Sequence, residues 1–380
     1  HLTEFSELSK NKVVTIAEDK SGNLWFGTYG GFVTIFSEQE NGGVLTPNYR
    51  NFGKQEGLGD RFILCETFDK NGRIWFATDN AGVSIYDGVK TYTYTKKQGL
   101  NSNRSSRIFC DKAGNIWIAT VFSGVTKFDG KNFTTYKKEQ GLSNKHMISI
   151  FQDSKDNMWF GTAGGGVTKF DGESFTHFNK STGFYNDTVN CVVEDRLGNI
   201  WLGTNGDGII KYDGKTFIRY LEESGLKNNY VVSMLIDSKG NLWAGSNSYL
   251  HFIKRESLEK INTANSEVFI NSFGIEDGFS GTRCNIGALM EDKKGTIWIG
   301  TQDRLIAYHG ENRTEKTVPP NLKITNIRLF NESVPWKLIA ENKDTSLTLE
   351  NGININKFHF KDVTEWYGVP TDLSLKHNQN

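Results

Sequence analysis

The sequence predicts an all-β chain whose larger part is a seven-bladed antiparallel β-propeller, and three observations carry that prediction. Trp25, Trp75, Trp117, Trp159, Trp201, Trp243 and Trp298 share one local phrase, with an Asp six residues before each and a Gly or Ala followed by Thr or Ser just after. Four of the six intervals between them are 42 residues, and a recurrence of about 40 residues built from short strands marks propeller blades. At the ends, the seventh unit offers only "IGALMED", "TIWIGT" and "RLIAYHG", whereas residues 2–6, "LTEFS", look like an outer strand without a unit of its own. The N-terminal strand is therefore expected to complete the last blade, so that the ring closes without a free edge.

Each element follows from local pattern. In the stretch from Lys131 to Thr168, "NFTTY" alternates apolar and polar residues, "KEQGLSN" is a loop, and "MISIFQD", "NMWFGT" and "GVTKFDG" are three further strands; the four together are read as one blade. Asp87-Gly88, Asp129-Gly130, Asp171-Gly172 and Asp213-Gly214 separate strand-like runs and are hairpin turns. Punctuation such as Asp19-Lys-Ser-Gly22-Asn23 is a tight turn in which the Asp caps backbone amides, with too few carboxylates for a calcium loop. The repeated Trp, flanked by apolar residues, is expected to pack between neighbouring blades, the following Gly or Ala allowing close backbone approach.

Two intervals depart from the period. "SEQENGGVLTPNYR" lengthens an outer hairpin after the first unit, and "IKRESLEKINTANSEV", between the sixth and seventh, contains a short helical turn. After Pro319-Pro320 the Trp phrase is gone, and "LKITNIRLFNESV" and "TSLTLENGININKFHF" alternate as strands. The expected division is a propeller over 1–318 and the start of a second all-β unit over 319–380, which at about 60 residues is marginal by itself.

Composition narrows the partners. The 44 basic and 44 acidic residues give a formal net charge of +0, so no net field draws the chain to nucleic acid or to a membrane surface. There is no run of eighteen apolar residues, and His1 does not open a signal peptide, which is the pattern of an excised piece. Cys65, Cys110, Cys191 and Cys284 fall in or beside the first strand of a repeat and are expected as small buried thiols, not disulfides. No CxxC or other metal spacing occurs, and neither a metal nor a cofactor is expected.

The unit "GLSN…ISIFQDSKDNMWFGTAGGGVTKFDG" closely resembles the two-component regulator propeller repeat, with its Gly-Leu loop, its strand ending in Asp, and Gly-Asn-Leu-Trp-Ile/Phe-Gly-Thr. The Gly-Leu or Gly-Phe pairs stand at Gly57-Leu58, Gly99-Leu100, Gly141-Leu142, Gly183-Phe184, Gly225-Leu226 and Gly278-Phe279, with Glu7-Leu8 degenerate in the first unit. The segment from Pro319-Pro320 looks like the beginning of the Ig-like β-sandwich that follows such propellers. The resemblance implies the periplasmic, ligand-sensing part of an inner-membrane histidine kinase or hybrid sensor of Bacteroidetes-type bacteria, commonly one controlling polysaccharide use. It also implies a homodimeric parent that meets the membrane only through segments absent from this chain, and any kinase activity would belong to those segments.

If recognition resides on the propeller, it is sought where the repeats differ. The loop entering each innermost strand and the loop joining the second strand to the third open onto one face. Five residues after the Gly of each Gly-Leu pair stand Phe62, Arg104, His146, Thr188, Tyr230 and Arg283, with Lys12 in the first unit and Arg61 beside Phe62. The second ring comprises Tyr29, Asp79 and Asn80, Phe122, Asn205 and Asp207, Asn247, and Gln302 and Arg304. Aromatics, arginines and amides in this mixture suit an oligosaccharide or another small ligand, the arginines pairing with uronate or sulfate groups. A protein-interaction or dimerisation scaffold would use the same surface. A streptogramin-lyase-like enzyme is the remaining alternative, but His146, His177 and His251 lie in different repeats, no Glu-x-His occurs, and only His146 falls on the proposed face.

Overall fold

In the computed structural model of the chain, residues 12–41, 44–260 and 270–310 are described, together with 2–5, 8, 10 and short stretches beyond 327. The chain divides into two units, His1–Asn312 and Arg313–Asn380. The first is a seven-bladed propeller of four-stranded antiparallel sheets. The third blade is representative: its innermost strand Ser105–Cys110 is followed outward by Ile116–Thr120, Gly124–Phe128 and Phe133–Tyr136. In the seventh sheet the strands Cys284–Glu291, Thr296–Thr301 and Leu305–His309 are joined by Leu2–Phe5, which pairs antiparallel with Leu305–His309 from Leu2 opposite Tyr308 to Phe5 opposite Leu305. Val13 and Phe26 of the first blade pack against Trp298 of the seventh.

One boundary differs from the reading of the sequence. The stretch Lys131 to Thr168 straddles two blades, because Phe133–Tyr136 pairs back onto Gly124–Phe128, whereas the outer strand of the fourth blade is Phe175–Phe178. The physical reason is the Asp129-Gly130 hairpin, a local pairing whose short loop keeps the strand on the sheet that precedes it.

The repeated Asp and Trp form one device. Each indole Nε1 donates to the Oδ2 of the Asp six residues earlier, at 3.2 Å for Trp25 and Asp19 and at 2.7–2.9 Å in the other six copies. Asp195 shows the rest: its Oδ1 accepts from the amides of Leu197 and Asn199, and its Oδ2 also accepts from Asn199 Nδ2. The turn and the Trp rotamer are thus fixed by one carboxylate. The rings lie between blades as expected, Trp25 for instance against Leu58, Ile63 and Phe76 of the second. Burying about 150 Å² or more of each ring contributes about 4 kcal/mol of transfer free energy.

The Gly-Leu pairs have an equally local cause. Short 3-10 turns such as Lys96–Gln98 end on a Gly in the left-handed region, φ 116° at Gly99, and the next residue then drops into the core, as Leu100 does. The longer sixth interval holds the helix Arg255–Lys260, and no helix among the described residues is long and apolar enough to cross a membrane. The four cysteines are unpaired, with Cys191 and Cys284 buried.

In the second unit the described strands form three short antiparallel pairs: Arg328–Leu329 with Glu332–Ser333, Ser346–Thr348 with Asn354–Asn356, and Asp362–Val363 with Pro370–Thr371. The expected sandwich start rests mainly on residues outside those described.

Candidate ligand face

A bulge at the start of every innermost strand brings the two sets of loop positions together. The register shifts between Ser105 and Arg107, at the corresponding place in five other blades, and over the wider stretch from Cys284 to Leu289 in the seventh. Beside the bulge, the amide of a residue in the second-to-third-strand loop donates to the carbonyl of the residue in the entering loop: Tyr29 to Lys12, Asp79 to Phe62, Val121 to Arg104, Ala163 to His146, Asn205 to Thr188 and Gln302 to Arg283. The backbone therefore repeats where the side chains vary.

Side chains from the two sets then meet across blade boundaries. The rings of Tyr29 and Phe62 lie 4.8 Å apart, with Lys12 Nζ 4.5 Å from the Tyr29 centroid and the Arg61 guanidinium 5.0 Å from that of Phe62. Arg104 Nε donates to Asp79 Oδ1 at 2.6 Å. Phe122 faces His146 at 4.8 Å. Arg283 stacks on Tyr230 at 4.8 Å, and the same pair of side chains shares a hydrogen bond of 2.9 Å from the guanidinium to the phenol. Asn247 bridges to Arg283 through its backbone, and its Oδ1 is buried without a partner. Burial, followed by the charge of Arg104, holds the His146 imidazole below its ordinary pKa.

Other predicted residues are committed elsewhere. Asp207 accepts from Asn186 and from Arg219 of the outermost strand, Arg304 is paired with its neighbour Asp303, Gln302 donates to Asn285, and the backbone N–H of Asn80 donates to the Asp60 carboxylate. Asn186, Arg219, Asn285 and Lys145, whose Nζ lies 5.9 Å from the Phe122 centroid, were missed by reading loops alone, because they reach these residues from neighbouring positions or from a strand. The histidines do not converge: His177 Nδ1 lies 3.3 Å from Thr168 Oγ1 on an outer strand, and His251 is buried between Ser246 and Ser272. Among the described residues no three His, Cys, Asp or Glu side chains are grouped so as to hold a metal ion.

Phe122 stands apart. The residue is 57% exposed, and its backbone has φ 61° where the equivalent loop positions carry Gly30, Gly164, Gly206 and Ser248, the last at φ 60°. A bulky residue in the left-handed region is a costly choice, on the order of 1–3 kcal/mol, and such strain concentrates at functional sites. A hollow of about 1000 Å³ lies away from this face, at the opposite turns of the first and seventh blades among Glu18, Phe36, Tyr49 and Lys293.

The chain matches the two component regulator propeller family seven times, at residues 7–30, 57–80, 99–122, 141–164, 186–206, 225–248 and 280–303. No curated protein matches it. Its fold is similar to that of the extracellular domain of the hybrid two component system BT3049 from B. thetaiotaomicron, at 24% identity and a TM-score of 0.67 over 82% of this chain and 41% of that one. The extracellular domain of BT4673 from the same organism is similar at 21% identity and a TM-score of 0.61, over 79% and 40%. Virginiamycin B lyase from Staphylococcus aureus shares the fold at 14% identity and a TM-score of 0.59, over 81% and 97%. This chain spans about two fifths of the length of the two extracellular domains.

Proposed function

This chain belongs to the two component regulator propeller family, and we propose that it is the extracytoplasmic, periplasmic ligand-reading module of a two-component sensor, with an oligosaccharide bound on the face built from the two loop rings. The observation that carries the reading is Phe122, an exposed ring held in a strained backbone beside His146, with Arg104 and Asp79 one blade boundary away. A flat apolar ring next to charged and amide groups is the chemistry that stacks on a sugar and bonds its hydroxyls. Arg104 and Arg283 would pair with acidic sugars. Signal output and dimerisation would belong to the rest of the sensor.

The test is a thermal-shift screen against neutral and acidic oligosaccharides, since a ligand that binds only the folded state raises its apparent stability. A sugar that raises the melting temperature of the wild type and loses at least tenfold affinity in Phe122→Ala supports the reading. For an acidic sugar, Arg104→Ala and Arg283→Ala should also weaken binding and reduce its salt dependence. Silence across the panel would shift the face to a protein partner, and a sugar whose affinity ignores Phe122 would move the site elsewhere.

A further inference from the structure

The innermost strands depart from their repeat at one charged position. In six of the seven blades the second residue after the bulge start faces a Gly or Ala of the next strand, and in five of these Thr15 faces Gly27, Cys65 Ala77, Ser149 Gly161, Cys191 Gly203 and Ser233 Gly245. All five are small. In the third blade the residue is Arg107, opposite Ala119. A pocket made for a Ser or Cys cannot hold a guanidinium, so the side chain extends across the axis of the propeller. Its Nη1 donates to the carbonyls of Leu64, at 2.9 Å, and Ser106, at 2.8 Å, and its Nη2 to that of Ile286 in the seventh blade, at 3.2 Å.

Arg107 lines a cavity of about 200 Å³ bounded by the innermost strands of six blades. A guanidinium has five N–H donors, and the three bonds to carbonyls leave two uncommitted. Among the described residues no carboxylate forms an ion pair with it, and Glu66, one strand away, sets its carboxylate beside Gly27. Arg107 is half-buried, so its charge keeps only part of its hydration and has no counterion among the described residues to offset the rest. Ser149 and Ser233 belong to the strands that bound the cavity, but their buried hydroxyls are turned toward Gly161 and Gly245 and do not face it. Asn190 adds an amide whose Nδ2 is spent on the Val231 carbonyl.

We propose that the axial cavity is a binding site for a small oxyanion, held by the two uncommitted donors of Arg107. The volume suits an anion of a few heavy atoms together with water, each water occupying about 30 Å³. Carboxylates and inorganic phosphate share this chemistry, since both present paired oxygens to a guanidinium fork. The site is separate from the loop face and does not depend on the sugar reading.

The experiment titrates the intact chain with formate, acetate and inorganic phosphate in separate arms, at constant ionic strength held with sodium chloride, following melting temperature and, at 25 °C, heat of binding. Wild type should give a saturable stabilisation with at least one oxyanion. Arg107→Ser, which restores the residue of the fourth and sixth blades, should lose it while keeping the wild-type circular dichroism spectrum. Arg107→Lys, which keeps the charge but not the fork, should bind at least tenfold more weakly. Saturation by formate or acetate alone identifies a carboxylate site, and saturation by phosphate alone a phosphate site. No saturable response in wild type overturns the proposal, as does an equal response in Arg107→Ser.

Discussion

Replacing Glu66 with Met should stabilise this propeller, and by more at high pH than at low. Glu66 stands on the innermost strand of the second blade opposite Phe76, where the equivalent residues of other blades are Ile16, Ile108, Ile150, Val192 and Met234. It is 6% exposed, and neither carboxylate oxygen has a hydrogen-bond partner. Burial pushes its pKa well above the ordinary 4.5, opposed only by the nearby Gly27 amide. The folded state thus holds the proton more tightly than the unfolded chain does. Stability is full below about pH 4.5 and is lost as pH rises toward the folded pKa, at about 1.4 kcal/mol per pH unit over that window. The neutral acid itself costs about 1–3 kcal/mol for its unmade hydrogen bonds. Met, similar in length and native to the sixth blade, removes both penalties without opening a cavity. With about 2.1 cal/mol/K per residue of unfolding entropy over the first unit, 1 kcal/mol corresponds to roughly 1.5 °C. Glu66→Met should therefore melt a few degrees above wild type at pH 5, and the gap should widen by about 2 °C per pH unit as pH rises. Differential scanning calorimetry at pH 5, 6 and 7 measures it, with Glu66→Gln as the non-titrating control. A gap that stays constant with pH, or a Glu66→Met protein less stable than wild type throughout, would refute the reasoning.

Two further outcomes follow from buried polar groups. His251 lies between the hydroxyls of Ser246 and Ser272, and burial lowers its pKa from 6.5 to about 4. Its contribution is present above pH 6.5 and is lost as pH falls toward 4, by about 3 kcal/mol in all; urea midpoints from pH 7 to 4 should fall less in His251→Ile, which carries the residue found at Ile210 and Ile306. In the fifth blade, Asp195→Ala should cost about 3 kcal/mol or more and Trp201→Phe about 1–2, because the first leaves four donors unmatched and the second only one acceptor. Equal losses by chemical denaturation would count against the Asp as organiser of the turn.

The Asp-Trp phrase was legible as a scaffold because both of its functions, turn and indole acceptor, lie within six residues. The loop residues were legible as two variable sets, since their blades repeat around them. Their pairing was not: Arg104 reaches Asp79, and Phe122 reaches His146, across blade boundaries that no local pattern encodes. Asp207 and Arg304 show the converse, residues on variable loops whose charges are satisfied by nearby partners. The left-handed backbone at Phe122 could have been suspected from the glycines at its equivalents. Arg107 and Glu66 escaped because strands were read for period and only loops were compared position by position.

By itself the sequence determined the number of blades, the hairpins and the residues that repeat, because strand alternation, Asp-Gly turns and Gly-capped 3-10 turns act through neighbours along the chain. Only the tertiary structure decided which blade owns each outer strand, which side chains of the face touch, and that Arg107 reaches the seventh blade at Ile286. Those depend on the ring, which places residues distant in sequence within hydrogen-bond reach around one axis.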